Sequence, residues 1–278
     1  MKYSVQIALG FAVLAAGVGA AAAEPSVERG SYLVNSIAAC GSCHTPMGPQ
    51  GFDQTKDLGG RLVEESPAFT AYAPNITPAG RVAQWSDDEL VKAIREGIRP
   101  DGSLIGPPMP FEVYKGLSDT DVRSIVAYLR TVPAVDNEVP ASTYNIPLPP
   151  AYGPPVTTVA DVPEGITAEY GEYLAGPVGH CIVCHTPFGP DGQAQFETSL
   201  GAGGNEWHGP WGTSVSANLT PTGLSGYSDA EVVQMITTGT RPDGSPMFPP
   251  MAYNYYAQMK AEDVQAIVTY LRTLPPKP

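Results

Sequence analysis

Positive charge is scarce in this chain of 278 residues, which has 15 Lys and Arg against 28 Asp and Glu and a formal charge of −13. That sign is wrong for a phosphate-binding surface and excludes nucleic acid as a partner. Charged residues of both signs reach only 15%, against about 25% in an average soluble protein. Cysteines number four, and at roughly 100–200 residues per domain the length predicts about two domains with cores of their own. A disulfide-stapled miniature is therefore excluded. Long apolar runs are also lacking, with one exception. Ile7–Ala20 follows Lys2 and precedes the small triplet Ala21-Ala22-Ala23, the pattern of a secretory signal peptide over residues 1–23. An uncleaved anchor is the rival, but the 17 residues from Ile7 to Ala23 lie at the short limit of the ~17–25 that cross a bilayer. Cleavage predicts an exported, soluble, periplasmic chain with a formal charge of −14. What the sequence has in abundance is glycine and proline, 30 of each, which suggests compact but loop-rich domains.

The chain repeats itself at an offset of 141 to 143 residues, and such a repeat governs how every local motif is read. Cys40-Gly-Ser-Cys43-His44-Thr-Pro recurs as Cys181-Ile-Val-Cys184-His185-Thr-Pro. Asn75-Ile-Thr-Pro78 recurs as Asn218-Leu-Thr-Pro221, and Arg99-Pro-Asp-Gly-Ser103 as Arg241-Pro-Asp-Gly-Ser245. Tyr128-Leu-Arg-Thr131 matches Tyr270-Leu-Arg-Thr273. A whole domain has been duplicated, giving an N-terminal domain over 24–135 and a C-terminal domain over 164–278. The segment between them, 136–163, is dense in proline and predicts an extended, semi-rigid linker.

Helical signals dominate. Val122, Ile125, Val126 and Leu129 follow the i, i+3, i+4, i+7 spacing of one helix face, with Ser118 as N-cap and Pro133 as a stop. Val264, Ile267, Val268 and Leu271 repeat the pattern. Ser86-Asp-Asp-Glu89 and Ser228-Asp-Ala-Glu231 have capping-box form, and Gly97 and Gly239 stand where a left-handed residue can end each helix. Helices are also expected over Arg29–Ala39 and Ala168–Ala175, the second interrupted at Gly176-Pro177. No strand-like alternation of comparable length accompanies them, so the expected class is all-α.

An exported chain ordinarily pairs its cysteines, but the spacing here argues otherwise. Cys-x-x-Cys-His attaches a c-type haem, because each thiol adds to one vinyl group and the adjacent histidine is placed to ligate the iron. Two copies predict two covalently bound haem c groups on Cys40, Cys43, Cys181 and Cys184, with His44 and His185 as fifth ligands. A structural zinc shared by two Cys-x-x-Cys pairs is one alternative, but the pairs lie a domain apart. A redox disulfide is the other. The sixth ligands should occupy matching places in the repeats. Met109 and Met251 do so, each after a Pro-Pro pair that stiffens its loop. Met47 is too close to the first motif, and Met247 aligns with Ile105. His180 is expected to pack or to hydrogen-bond. His208 is either a surface histidine or a propionate partner, and Asn75 and Asn218 either contact propionates or merely stabilise Thr-Pro turns. His44 and His185 should give their remaining ring N–H to a carbonyl, with the loops containing Pro46, Pro49, Pro187 and Pro190 as its expected source.

These residues resemble the class I cytochromes c, in which an N-terminal Cys-x-x-Cys-His, a later Met and a closing helix surround one haem. The resemblance covers almost all of the chain after residue 23. The Asn-Ile-Thr-Pro, Trp-Ser-Asp, Arg-Pro-Asp-Gly and Tyr-Leu-Arg segments, and the seam Val132–Pro140, are more narrowly similar to the cytochrome subunits of bacterial alcohol, aldehyde and gluconate dehydrogenases. Those subunits typically have three haem domains and a membrane-binding tail, whereas this sequence shows two and no apolar tail. The resemblance implies an electron-transfer protein, not an enzyme. It would carry single electrons from a dehydrogenase to a respiratory acceptor, with peripheral membrane association through a partner. The acidic surface predicts a basic docking face on at least one partner. A different class, a dihaem enzyme of the peroxidase or thiosulfate-oxidising type, needs one open haem. The two matched Pro-Pro-Met segments speak against it. A sensor in which a ligand displaces Met251 is recommended only by Met247.

Overall fold

The computed structural model describes residues 23–48, 51–190, 192–209 and 211–278. The predicted signal peptide lies outside the described residues except for Ala23.

The first repeat begins with α1 (Val27–Asn35), whose N-cap Ser26 accepts a hydrogen bond from the Arg29 amide at 3.1 Å. A one-turn helix, α2 (Gly41–His44), carries the cysteine motif. After it come the hairpin β1 (Met47–Gly48) and β2 (Gly51–Phe52), then β3 (Arg61–Glu65) and β4 (Phe69–Ala73). The helices α3 (Asp87–Glu96), α4 (Phe111–Tyr114) and α5 (Asp119–Leu129) complete the domain. The connecting segment adds β5 (Thr143–Tyr144) to β4. In the second repeat α6 (Ala168–Tyr173), α7 (Cys181–Cys184), α8 (Phe196–Ser199), β6 (Glu206–Gly209), β7 (Gly212–Val215), α9 (Asp229–Thr238), α10 (Tyr253–Tyr256) and α11 (Ala261–Leu271) follow in the same sense.

Local chemistry sets the helix ends. Ser86 and Glu89 form the expected capping box on α3, as Ser228 and Glu231 do on α9, each cap being worth about 1 kcal/mol. Gly97 and Gly239 end these helices at φ of 65° and 64°, a left-handed conformation that glycine adopts without Cβ strain. The expected helix over Arg29–Ala39 stops earlier, at Asn35. After Tyr173 the chain continues through Gly176-Pro177 in a π-helical turn over Leu174–Val178, because a wider turn tolerates the missing proline N–H.

The first and last helices of each repeat cross in close contact. A Cβ on Gly30 would lie 1.8 Å from the Ser124 carbonyl oxygen, and one on Gly171 would lie 1.9 Å from that of Ala266. Only glycine permits either crossing. The two crossings share one apolar core, in which Leu33, Val34 and Ile37 join Val122 and Ile125 from the first repeat, and Tyr170, Leu174, Ile267 and Leu271 from the second. Reciprocal polar contacts close this interface. Tyr32 donates to Asp263 Oδ2 at 2.5 Å, and its repeat-mate Tyr173 donates to Asp121 Oδ2 at 2.6 Å. Each phenol oxygen also accepts a backbone N–H, from Lys260 to Tyr32 and from Ser118 to Tyr173, both at 3.1 Å. Residue i meeting j while the mate of i meets the mate of j is the mark of an approximate twofold relation.

The expectation of an all-α chain needs correction. Antiparallel β3–β4–β5 and β6–β7 stand beside the helices. Their strands are at most five residues long, too short for alternation to stand out against longer helical periods. The proline-rich connection is extended, and it lies on the first domain. Tyr144 donates to Pro107 O and Tyr152 to Ile105 O, each at 2.9 Å, and the Asp119 amide donates to Val159 O at 3.0 Å.

Candidate functional site

In both repeats a sharp turn precedes the motif helix, with Ala39 and His180 at φ of 45° and 44°. That turn brings each Cys-x-x-Cys-His segment to the wall of a cavity of about 2440 Å³. The volume exceeds the ~300–1,000 Å³ of an ordinary ligand pocket. The cavity is lined by Cys40, Cys43, His44 and Met109 from one repeat and by Cys181, Cys184, His185, Met247 and Met251 from the other. All eight sequence-predicted residues therefore face one continuous space. No disulfide joins the cysteines, and among the described residues no three His, Cys, Asp or Glu side chains converge as a metal-ion site. Burial pushes Cys40 up to about 12 and Cys181 up to about 11, which favours a neutral sulfur over a thiolate.

The histidines are oriented in matching ways. His44 Nδ1 lies 2.8 Å from the Pro74 carbonyl oxygen, and His185 Nδ1 lies 2.7 Å from that of Ala217. A proton on Nδ1 donates to the carbonyl and leaves Nε2 with the ring's lone pair. Burial lowers the pKa of both rings and keeps them neutral. The carbonyls come from the residue just before Asn75 and Asn218, not from the expected loops at Pro46, Pro49, Pro187 and Pro190. Pro46 O and Pro187 O instead accept from the Asp53 and Gln195 amides at 2.8 and 2.9 Å, and Pro49 lies outside the described residues.

Asn75 and Asn218 are engaged by the protein itself. Asn75 Oδ1 accepts from the Thr77 amide and hydroxyl at 3.0 and 2.7 Å, and its Nδ2 donates to Val135 O and Asn137 O. Asn218 repeats the turn with Thr220 and donates to Lys277 O at 3.0 Å. The turn reading accounts for both. His180 meets the ring of Tyr114 edge-on, with centroids 5.8 Å apart, and burial pushes it down to about 4. His208 is exposed, with Nδ1 3.0 Å from Thr213 Oγ1.

The methionine loops are also paired. Pro107 O accepts from Tyr144, and Pro249 O from Ser214 at 2.5 Å. The Ile105 amide donates to Gly97 O and the Met247 amide to Gly239 O, both at 2.7 Å. Met247 thus occupies the backbone place of Ile105, and Met251 that of Met109. Sequence reasoning missed several cavity residues: Tyr114 and Tyr256, and two whose buried nitrogens, Arg61 Nε and Trp211 Nε1, have no hydrogen-bond partner among the described residues. The first pair was visible in the repeat, at offset 142. Arg61 and Trp211 have no repeat-mates of their own kind, so the repeat carried no signal for them.

Two thiols, a neutral oriented imidazole and a thioether on each side of a large apolar-walled space define a duplicated site for covalent haem. Known proteins agree with that class. Residues 25–129 match the family described as cytochrome c oxidase, cbb3-type, subunit III, and residues 169–275 match the cytochrome c family. The chain is 32% identical over 93% of its length to the fructose dehydrogenase cytochrome subunit of Gluconobacter japonicus, covering 54% of that protein. It is 30% identical over its full length to the cytochrome c subunit of the quinone alcohol dehydrogenase of Gluconobacter oxydans, covering 62% of it. A dihaem c-type cytochrome of Cereibacter sphaeroides is 29% identical over 85% of this chain and is 82% covered. The chain thus spans little more than half the length of the first two relatives. Each half of the chain, 25–129 and 169–275, is a cytochrome c domain. Two such domains, each with its own Cys-x-x-Cys-His motif, carry two covalently bound haem c groups.

Proposed function

We propose that this chain is an exported, periplasmic dihaem carrier that takes single electrons from a dehydrogenase and delivers them to a downstream respiratory acceptor. Cys40 and Cys43 hold one haem and Cys181 and Cys184 the other. His44 and Met109 would ligate the iron of the first haem, and His185 and Met251 that of the second. When bound, each haem supplies a one-electron ferric/ferrous couple. The protein contributes the carbonyls of Pro74 and Ala217, which orient the two imidazoles, and the stiff Pro-Pro-Met loops. The single observation that carries the reading is the matched Nδ1-to-carbonyl bond in both repeats, 2.8 and 2.7 Å, because it prepares two neutral histidines identically for iron. Similarity to dehydrogenase cytochrome subunits supports a dehydrogenase donor. Among the described residues no helix is long and apolar enough to cross a membrane.

The net charge of −13 predicts a basic docking face on at least one partner and an association rate that falls with ionic strength. The test is stopped-flow reduction of the holoprotein by the substrate-reduced dehydrogenase that co-purifies with it from the host. Fast reduction that slows as salt rises supports the reading. Absence of any reducible dehydrogenase partner, or a rate independent of salt, contradicts it.

A further inference from the structure

The two halves match in their ligands but not in the charge around them. We propose that Arg61 holds the reduction potential of the N-terminal haem above that of the C-terminal haem, making the N-terminal domain the stronger oxidant of the pair. The inference rests on the haem assignment above.

Backbone hydrogen bonds identify the mate of Arg61. The Gly60 amide donates to His44 O at 2.5 Å and the Gly203 amide to His185 O at 2.8 Å, so Arg61 corresponds to Gly204. Arg61 lies in the cavity wall and reaches into the first haem motif, where Nη2 donates to Ser42 O at 2.7 Å. Nη1 donates to Leu62 O at 2.9 Å, and the buried Nε has no partner among the described residues. Among the described residues no carboxylate forms an ion pair with it. Through the Ser42 contact its positive charge lies inside the haem motif, between Cys40 and Cys43 and two residues from His44.

Two other differences point the same way. Gly80 and Gly223 pack alike against the Asn75 and Asn218 carbonyl oxygens, so Arg81, which lines the cavity near Arg99, corresponds to buried Leu224. Arg99 has its counterpart in Arg241. On the other side, the carboxylate of Glu112, whose repeat-mate is Asn254, bears on Cys184 of the second site. Opposing charges are present. Asp57 faces Cys40, but its carboxylate accepts from Thr45 Oγ1 at 2.5 Å. Glu64 and Glu65 line the cavity from β3. None of these three hydrogen-bonds to residues 40–44, whereas Arg61 does. Reduction removes one positive charge from iron, so a nearby unpaired cation disfavours the oxidised form and raises the potential, while an anion lowers it.

The experiment is a potentiometric titration of the holoprotein. Each haem is assigned through Met109→His and Met251→His variants, which shift only the haem of their own domain. The wild type should show the N-terminal haem as the higher couple. Arg61→Gly, which copies the second repeat, should shift the electron distribution between the haems about tenfold toward the second, or about 59 mV for a one-electron couple. Arg61→Lys should keep most of the wild-type separation, and Glu112→Gln should raise the second couple. A wild type whose C-terminal haem is the higher, or an Arg61→Gly protein with an unmoved first couple, overturns the inference. So does Arg61→Lys behaving like Arg61→Gly, because the effect would then be hydrogen bonding instead of charge. Haem stoichiometry and low-spin spectra of each variant keep the two claims apart: a wild type without two haems overturns the haem assignment.

Discussion

Replacing Tyr32 by Phe tests the interface between the repeats with one oxygen atom. Tyr32 donates to Asp263 at 2.5 Å, and no other side chain hydrogen-bonds that carboxylate among the described residues. Its mate Asp121 is better supplied, because Arg29 binds it at 2.7 and 2.9 Å in addition to Tyr173. A hydrogen bond to a charged group contributes about 1.5–3 kcal/mol. The aromatic ring stays in place, so packing and the contact with the Lys260 ammonium, 4.9 Å from the ring centre, survive. At about 2–4 °C per kcal/mol for a chain of this size, Tyr32→Phe should lower Tm by about 3–12 °C at pH 7. The effect depends on pH with a definite sign. Burial raises the pKa of Asp263 above its ordinary value, and the Tyr32 bond opposes that rise. A carboxyl group whose folded pKa is raised stabilises the fold below its unfolded pKa and loses that contribution as pH rises through the folded value. Removing the bond enlarges the rise, so the deficit of Tyr32→Phe should be smaller at pH 4.5 than at pH 7. Thermal melts of wild type, Tyr32→Phe, Asp263→Asn and the double variant at both pH values measure this. A deficit unchanged by pH, or no coupling between the two substitutions, would refute the reasoning.

Other sites have sharper expectations. Gly30→Ala would place a Cβ 1.8 Å from a backbone oxygen, so it should cost at least the ~1–3 kcal/mol of an overpacked core and lower the yield of folded holoprotein. Ser86→Ala removes the side-chain arm of the capping box, which accepts from the Glu89 amide, while the residue-86 amide still donates to Glu89; it should cost about 1 kcal/mol in a denaturant melt, with the spectrum of the haems unchanged. Met251→Leu should abolish the sulfur-to-iron absorption of one haem, whereas Met247→Leu, at the place of Ile105, should leave it. The reverse result would exchange their roles.

The helical frame was legible because its signals are local. The capping boxes at Ser86 and Ser228, and the apolar faces of α5 and α11, lie within a few residues of chain. The haem motifs were legible because their chemistry demands a fixed spacing. What escaped detection depends on distant segments meeting. The carbonyls that orient His44 and His185 lie 30 and 32 residues away, and nothing near the histidines announces them. The Tyr32–Asp263 contact spans 231 residues, and its reciprocity appears only once the two repeats are packed. The hairpins were missed because strands of two to five residues hardly establish a period. Arg61 was missed for the reason that makes it interesting, since it breaks the repeat.

The central claim is that both irons are held in closed His/Met sites on covalently attached haem. Optical spectra of the mature holoprotein in ferric and ferrous states, with and without carbon monoxide, together with its intact mass, test it directly. The account predicts a mass with two covalent haems, low-spin spectra and no binding of carbon monoxide. A high-spin component, carbon monoxide binding at one haem, or a mass with a single haem would contradict it.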